Sequence, residues 1–278
     1  MSSSIRTIYR KWVAVTNSLK LIFWSLKFLP RNIWLSFWFG SIPDLVVDLQ
    51  NHRFAIRTNS LSAKIVDLYM AASCVIQKQY NAYGFDIKPN DIIIDIGAHI
   101  GAFTVYAAKL ASSGHVFAYE PDPGNYTQLK KNINENNLEN VSASQLAVAN
   151  LNGTISFHMD TLNSAESSLF KQNGDTIDVT STTLADIFRK HDIKHCDLLK
   201  IDCEGAEYDI IFGTSPELFT HIEKIVMECH EPSYFDITNP AYSQEAMLKL
   251  LNQLNFETRR VPENKMHCLI FAWRSQKS

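Results

Sequence analysis

Apolar positions along the chain follow three successive rhythms. Ile5, Ile8, Trp12, Val15, Leu19, Ile22 and Leu26 recur at alternating steps of three and four, the spacing that lines one face of an amphipathic helix. A second aromatic run after Pro30, "NIWLSFWFG", leads into the turn-forming "GSIPD". From residue 45, "LVVDLQNHRFAIRT" alternates in the manner of a hairpin, and residues 61–79 read as a helix. This lead-in stretch shows no obvious chemistry. Beyond Asn90 the rhythm changes to strand, helix, strand, helix: "DIIIDI", "AFTVYAAKLA", "HVFAYE", "GNYTQLKKNINEN", "VSASQLAV". Such alternation predicts an α/β fold, a parallel sheet with helices on both faces. A polar interval follows, in which "GTISFHM" and "TIDVTSTTLADIF" predict an inserted hairpin and a helix. The alternation then resumes with "CDLLKIDCEGAEYDIIFG", "IEKIVMECHE", a helix near 242–254 and a closing pair, "NFETRRV" and "HCLIFAWR". The expected organisation is an extension over 1–44 and a domain over 45–278, divided into a lead-in at 45–90 and a core at 91–278.

Charge changes the picture only at the N-terminus. With 278 residues, 46 % hydrophobic and 20 % charged positions and a net charge of −3, the chain is ordinary globular material with no overall pull toward nucleic acid. Before Asp44, however, there is no acid, while Arg6, Arg10, Lys11, Lys20, Lys27 and Arg31 accumulate. Lys20 and Lys27 leave only "LIFWSL" between them, far short of the roughly 20 residues that span a bilayer. The lysine-broken apolar run and the lack of a small-residue cleavage site also read poorly as a signal peptide. The expectation is a retained helix in one of two places: on an anionic membrane surface through residues 1–40, or docked on this domain or a partner subunit. The five cysteines form an odd set without CxxC, which fits a reducing cytosol with the extension at the membrane's inner face.

The chemistry begins at "DIGAHIG". A strand ending at Asp95 and a helix starting near Gly101 put this turn where open parallel sheets bind nucleotides. His99 and Ala102 occupy positions that a dinucleotide fingerprint fills with glycine, so nicotinamide binding is disfavoured. The remaining pattern of Asp95, Gly97 and Gly101 suits a nucleoside without a pyrophosphate, and S-adenosylmethionine is such a ligand. Its methionyl end can meet the turn backbone and Asp95. Glu120 closes the next strand nineteen residues after Gly101, near the spacing at which an acid accepts from ribose hydroxyls. Pro121 biases Glu120 toward extended geometry, and Asp122 with Pro123 reads as an N-cap followed by a first helical position.

The ordered set "DIIIDIGAHIG", "AYEPDP", "LAVAN", "STTLADI" and "LLKIDCEGAEYDII", over roughly residues 90–215, resembles the FkbM family of S-adenosylmethionine-dependent methyltransferases. The resemblance implies a Rossmann-like class I sheet of seven mostly parallel strands, the last antiparallel. It also implies methyl transfer, most often to a hydroxyl of a sugar or polyketide-like small molecule. The extension lies outside the resemblance. Asn150 stands where such proteins often carry an aspartate; it either meets an adenine edge or serves as a turn residue before Asn152 and Gly153.

A hydroxyl acceptor needs a base at the carboxyl end of a central strand. "LLKIDCEGAE" and "IVMECHE" offer Lys200, Asp202, Glu204, Glu207, Glu228 and His230, with Asp202 and His230 the favoured catalytic pair. Mg²⁺ held by the same oxygens is the less favoured alternative. Glu207 is expected to stabilise a helix start, and His99 to be a packed polar residue. Two other readings keep the same fold: methylation of nitrogen or of a macromolecule, which no "NPPY"-like motif supports, and a non-catalytic membrane-bound adaptor.

Overall fold

The computed structural model describes residues 25–26, 34, 45–159, 175–235, 237, 239–264 and 266–274. The predicted N-terminal amphipathic helix therefore lies outside the described residues apart from Ser25 and Leu26, and of the aromatic run after Pro30 the structure describes Trp34. Among the described residues, no helix is long and apolar enough to cross a membrane.

The lead-in hairpin forms as expected. Strands β1 (Leu45–Leu49) and β2 (His52–Ile56) pair antiparallel. Gln50 and Asn51 between them both have positive φ, the two-residue turn geometry that matches strand twist. Helix α1 (Leu61–Val75) starts where Ser60 accepts a hydrogen bond from the Ala63 N–H. It stops four residues before the predicted end.

The core follows as β3 (Ile92–Ile96), α2 (Ala102–Leu110), β4 (His115–Tyr119), α3 (Pro123–Glu135) and β5 (Val141–Ser144). After an interval come α4 (Leu184–Lys190), β9 (Leu198–Ile201), α5 (Glu207–Gly213), α6 (Pro216–Phe219), β10 (Lys224–His230), α7 (Gln244–Gln253), β11 (Glu257–Pro262) and β12 (His267–Trp273). The seven-stranded sheet has the order β11-β12-β10-β9-β3-β4-β5. All neighbours from β10 to β5 are parallel, and β12 runs antiparallel to both β10 and β11.

"VSASQLAV" was expected to be one strand and instead splits. The chain leaves the main sheet after Ser144, and β6 (Ala147–Val148) joins β7 (Gly153–Met159) and β8 (Asp175–Thr182) in a separate three-stranded sheet.

Apolar residues face both ways from the main sheet because it is covered on both sides. Ile93, Val116, Leu198, Val226 and Phe271 pack with α1, α2 and the hairpin. Ile94, Phe117, Leu199, Ile225 and Ile270 pack with α4, α5 and α7 on the other face. The order of strands reverses at β3, whose neighbours are β4 and β9, so the crevice at their carboxyl ends is the expected ligand position.

Candidate active site

The first strand-to-helix turn is shaped by close approach. Gly97 has φ +75°, and a Cβ there would lie 1.8 Å from the Asp202 carbonyl oxygen. Only glycine lets the ends of β3 and β9 come this near. The Gly97 and Ala98 N–H groups both donate to the Tyr119 carbonyl at 3.0 Å, folding the turn over the end of β4. Gly101 serves a different purpose. Its φ is +84° and a Cβ would lie 2.5 Å from Leu129 Cδ1, so it lets α3 pack against the start of α2.

Beside this turn opens a cleft at the carboxyl ends of β3, β4 and β9. Gly97, His99, Glu120, Asp202 and Glu204 line it, with Met70, Leu146, Val148 and Phe157 as apolar wall. Glu120 is buried, and its two oxygens accept from the His99 N–H at 2.7 Å and the Asp122 N–H at 2.9 Å. Burial pushes its pKa up to about 7, against the opposing pull of those two N–H groups. Asp122 caps α3 with Pro123 in the first turn, as the sequence predicted.

The lead-in region turns out to brace this turn. From the end of β2, the Arg57 guanidinium grips fully buried Asp67 through Nε and Nη2, and Nη1 donates to Asn125 Oδ1 at 2.8 Å. Its Nη2 lies 3.3 Å from His99 Nε2. Burial first, then the Arg57 and Lys200 charges, hold the His99 pKa well below its usual value, so this imidazole is neutral.

At the end of β9, buried Lys200 has its Nζ 3.1 Å from Asp95 Oδ1 and 3.8 Å from Asp202 Oδ2, and donates to the Gly97 carbonyl at 2.8 Å. Burial disfavours its charge, yet Asp95 and Asp202 outweigh burial and raise its pKa, so it is a cation rather than a base. Asp95 is fully buried and also accepts from Thr104 Oγ1 at 2.6 Å. It faces α2 and Lys200 and does not line the cleft. Asp202 does, with its Oδ2 accepting from Tyr80 OH at 3.0 Å.

His230 is 2 % exposed and is not a cleft residue. Its Nδ1 lies 3.0 Å from Glu207 Oε1, and its Nε2 3.5 Å from both Glu204 Oε2 and Glu228 Oε1. Burial opposes its protonation, but Glu204 and Glu207 reverse that and raise its pKa well above the usual value. Glu207 also accepts from the Cys203 and Gly205 N–H groups at 3.3 and 3.2 Å, which is the helix-start role expected of it.

The predicted residues thus separate. Gly97, Glu120 and Asp202 meet around the cleft, whereas Asp95 and Gly101 sit behind the turn as packing and ion-pair elements. Asn150 is exposed, with its Cβ against Gly213, and is not among the cleft's lining residues. Among the described residues, His230 meets the cleft lining through Glu204. Sequence reasoning missed Arg57, Tyr80 and Met70, since hydrophobic rhythm does not reveal which lead-in residues cross to the site.

The "Methyltransferase FkbM domain" family model matches residues 95–258, more than half of the chain. The chain belongs to the FkbM methyltransferase family. It is an S-adenosylmethionine-dependent methyltransferase. The methyltransferase sdnD of Sordaria araneosa is 28 % identical to it over 180 residues, covering 53 % of this chain and 70 % of that protein. The 31-O-demethyl-FK506 methyltransferase FkbM of Streptomyces tacrolimicus is 25 % identical over 183 residues, covering 55 % and 70 %. The crystal structure of methyltransferase FkbM from Methylobacillus flagellatus aligns with a TM-score of 0.46 at 14 % identity, covering 76 % of this chain and 54 % of that one.

The cleft of this FkbM-family methyltransferase suits its cofactor in charge. Three carboxylates, Glu120, Asp202 and Glu204, line it, a setting suited to a ligand carrying a sulfonium and an ammonium. Glu120 keeps lone pairs for ribose hydroxyls beyond the two N–H groups it already accepts.

Proposed function

We propose that this methyltransferase methylates a hydroxyl oxygen of a small molecule: a sugar, a glycan- or lipid-linked saccharide, or a polyketide-like compound. The observation that carries the reading is Asp202, a carboxylate on the cleft wall held by Tyr80 OH at 3.0 Å and flanked by buried Lys200. A hydroxyl is a weak nucleophile that gains from a positioned proton acceptor, an effect of about 10²- to 10⁴-fold. S-adenosylmethionine supplies the electrophilic methyl group when bound. Glu120 would take the ribose, the Gly97 turn the methionyl portion, and Leu146, Val148 and Phe157 the apolar surface of the base. Asp202 would receive the acceptor's proton, and Glu204, with His230 behind it, would help orient the acceptor. His230 itself lies too deep to touch substrate, so its role becomes that of a positioning residue.

The names of two relatives support oxygen as the methylated atom: the 31-O-demethyl-FK506 methyltransferase FkbM, and the 2-O-methyltransferase NoeI of Sinorhizobium fredii, 24 % identical over 143 residues covering 45 % of this chain and 58 % of that protein. The test is incubation of the full chain with methyl-labelled S-adenosylmethionine and metabolite extracts. Label is expected in an O-methyl ether of a small molecule, formed about 10²-fold or more slowly with Asp202→Asn. Label confined to N-methyl products or to macromolecules would overturn the reading.

A further inference from the structure

The carboxyl end of β10 carries a cluster that the cofactor cleft does not use. We propose that Glu228, His230 and His267 bind one divalent first-row transition ion such as Zn²⁺. Pairing of β10 with β12 sets His230 directly opposite His267, and Glu228 lies two residues earlier on the same face. The two rings stand 5.4 Å apart, and one donor atom from each of the three residues lies within 4.8 Å of the others.

The orientation of the rings is more telling than their proximity. Each ring turns one nitrogen to the same carboxylate oxygen: His267 Nδ1 is 3.2 Å and His230 Nε2 3.5 Å from Glu228 Oε1. The opposite nitrogen of each ring is held from outside. His230 Nδ1 meets Glu207 Oε1 at 3.0 Å; His267 Nε2 meets Glu263 Oε2 at 3.3 Å and Asn264 Nδ2 at 2.9 Å. An outer carboxylate such as Glu207 orients His230 with its inner nitrogen as a lone pair, as metal-ligating histidines require; at His267 the Asn264 amide donates to Nε2, so ligation through Nδ1 exchanges that bond for the Glu263 carboxylate. Tetrahedral coordination at about 2.0–2.2 Å places donors about 3.4 Å apart, so an ion would draw the widest pair, the two histidine nitrogens, in by up to about 1.4 Å.

Two imidazoles and one carboxylate favour zinc-like ions over Mg²⁺, which prefers oxygen and keeps its waters. The site therefore departs from the Mg²⁺ alternative drawn from the sequence. Glu204 Oε2, 3.5 Å from His230 Nε2, joins the cluster to the cleft wall. His267 lies beyond the segment matched by the family. The alternative is metal-free, with protonated imidazoles bridging the surrounding carboxylates.

The experiment titrates the chelator-stripped full chain with Co²⁺, read by its visible absorption, followed by competition with Zn²⁺ and Mg²⁺. One Co²⁺ per chain, displaced by equimolar Zn²⁺ and not by millimolar Mg²⁺, is expected. His267→Asn and Glu228→Gln should each weaken binding at least ten-fold, and the outer variant Glu263→Gln about ten-fold. Unchanged circular dichroism would show each variant folded; if Glu228→Gln fails that check, His267→Asn and Glu263→Gln carry the test. Absence of stoichiometric Co²⁺ binding, equal displacement by Mg²⁺, or affinity unaltered in every folded variant would overturn the proposal. Neither acceptor nor methyl donor enters this assay, so its failure is distinct from failure of the O-methylation reading.

Discussion

Gly97 offers a quantitative test because two separate penalties can be measured against a built-in control. A side chain at φ +75° costs about 1–2 kcal/mol from backbone strain alone. Gly84 has nearly the same φ, +82°, but a Cβ there would meet nothing within 4 Å. Gly84→Ala therefore isolates the strain. Gly97→Ala adds a clash with the Asp202 carbonyl oxygen at 1.8 Å and its carbon at 2.7 Å, backbone atoms that cannot rotate aside. Overpacking adds about 1–3 kcal/mol, giving roughly 2–5 kcal/mol in total. Gly101→Ala should fall between, since its closest neighbour is a leucine methyl that can yield. Urea denaturation gives the three stabilities with a common slope. Separating β3 from β9 also disturbs the Lys200 hydrogen bond to the Gly97 carbonyl. Calorimetry should accordingly show S-adenosylmethionine affinity down more than about ten-fold in Gly97→Ala and nearly unchanged in Gly84→Ala. Equal destabilisation by these two substitutions would refute the close-approach argument.

Glu120→Gln should weaken S-adenosylmethionine binding about ten- to a hundred-fold, the scale of a hydrogen bond to a charged group. Burial raises the Glu120 pKa from 4.5 to about 7, so the folded state retains this proton when the unfolded chain has lost it; the resulting stability is present below pH 4.5 and fades as pH rises through about 7. Ribose hydroxyls donate to the ionised form, hence wild-type affinity should increase between about pH 6 and 8, and a pH series on Glu120→Gln should lose that increase. Asp202→Asn should lower turnover about 10²-fold or more with cofactor affinity nearly intact, while Tyr80→Phe, which only loosens Asp202, should lose less; equal turnover of all three proteins on an identified acceptor would reject the base assignment. Residues 1–40 are proposed to bind anionic membrane, and flotation with anionic vesicles should recover the full chain but not a form starting at residue 41.

The elements of the main sheet were legible wherever burial on both faces left an unbroken apolar run, as in "DIIIDI", where Ile93 and Ile94 serve opposite layers. The split of "VSASQLAV" was not, because no glycine or proline marks the departure from the sheet at Gln145. The end of α1 was overrun for a similar reason: no glycine or proline marks the cap at Ile76, and Lys78 beyond it takes φ +52°, which composition does not reveal. In the site, Gly97 and Glu120 were readable as short-range features of two strand ends. Asp95 and Gly101 belong to the same motif, yet their orientations are set by register and by α3. Asp95 pairs with Lys200 across parallel strands, so its carboxylate meets the ammonium before it could meet a ligand.

The same limit explains why the lead-in region looked chemically empty. Arg57, Asp67 and Tyr80 precede the family-matched segment, and each is an ordinary residue in its own window of sequence. Folding brings Tyr80 OH to Asp202 across 122 positions and Arg57 to Asn125 across 68. Fully buried Asp67 must have a partner, since removing one member of a buried pair costs about 3–5 kcal/mol. The pair therefore fixes Arg57, Arg57 fixes Asn125 and flanks His99, and the His99 N–H holds Glu120. Arg57→Met should consequently weaken cofactor binding without touching cofactor, and Asp67→Asn should do the same to a lesser degree by leaving a neutral partner in place. A domain cut at residue 90 would lose this chain of contacts at its first link. If such a truncated chain bound S-adenosylmethionine as tightly as the full one, the hairpin and α1 would be mere cover for the sheet and not the support of its cofactor turn.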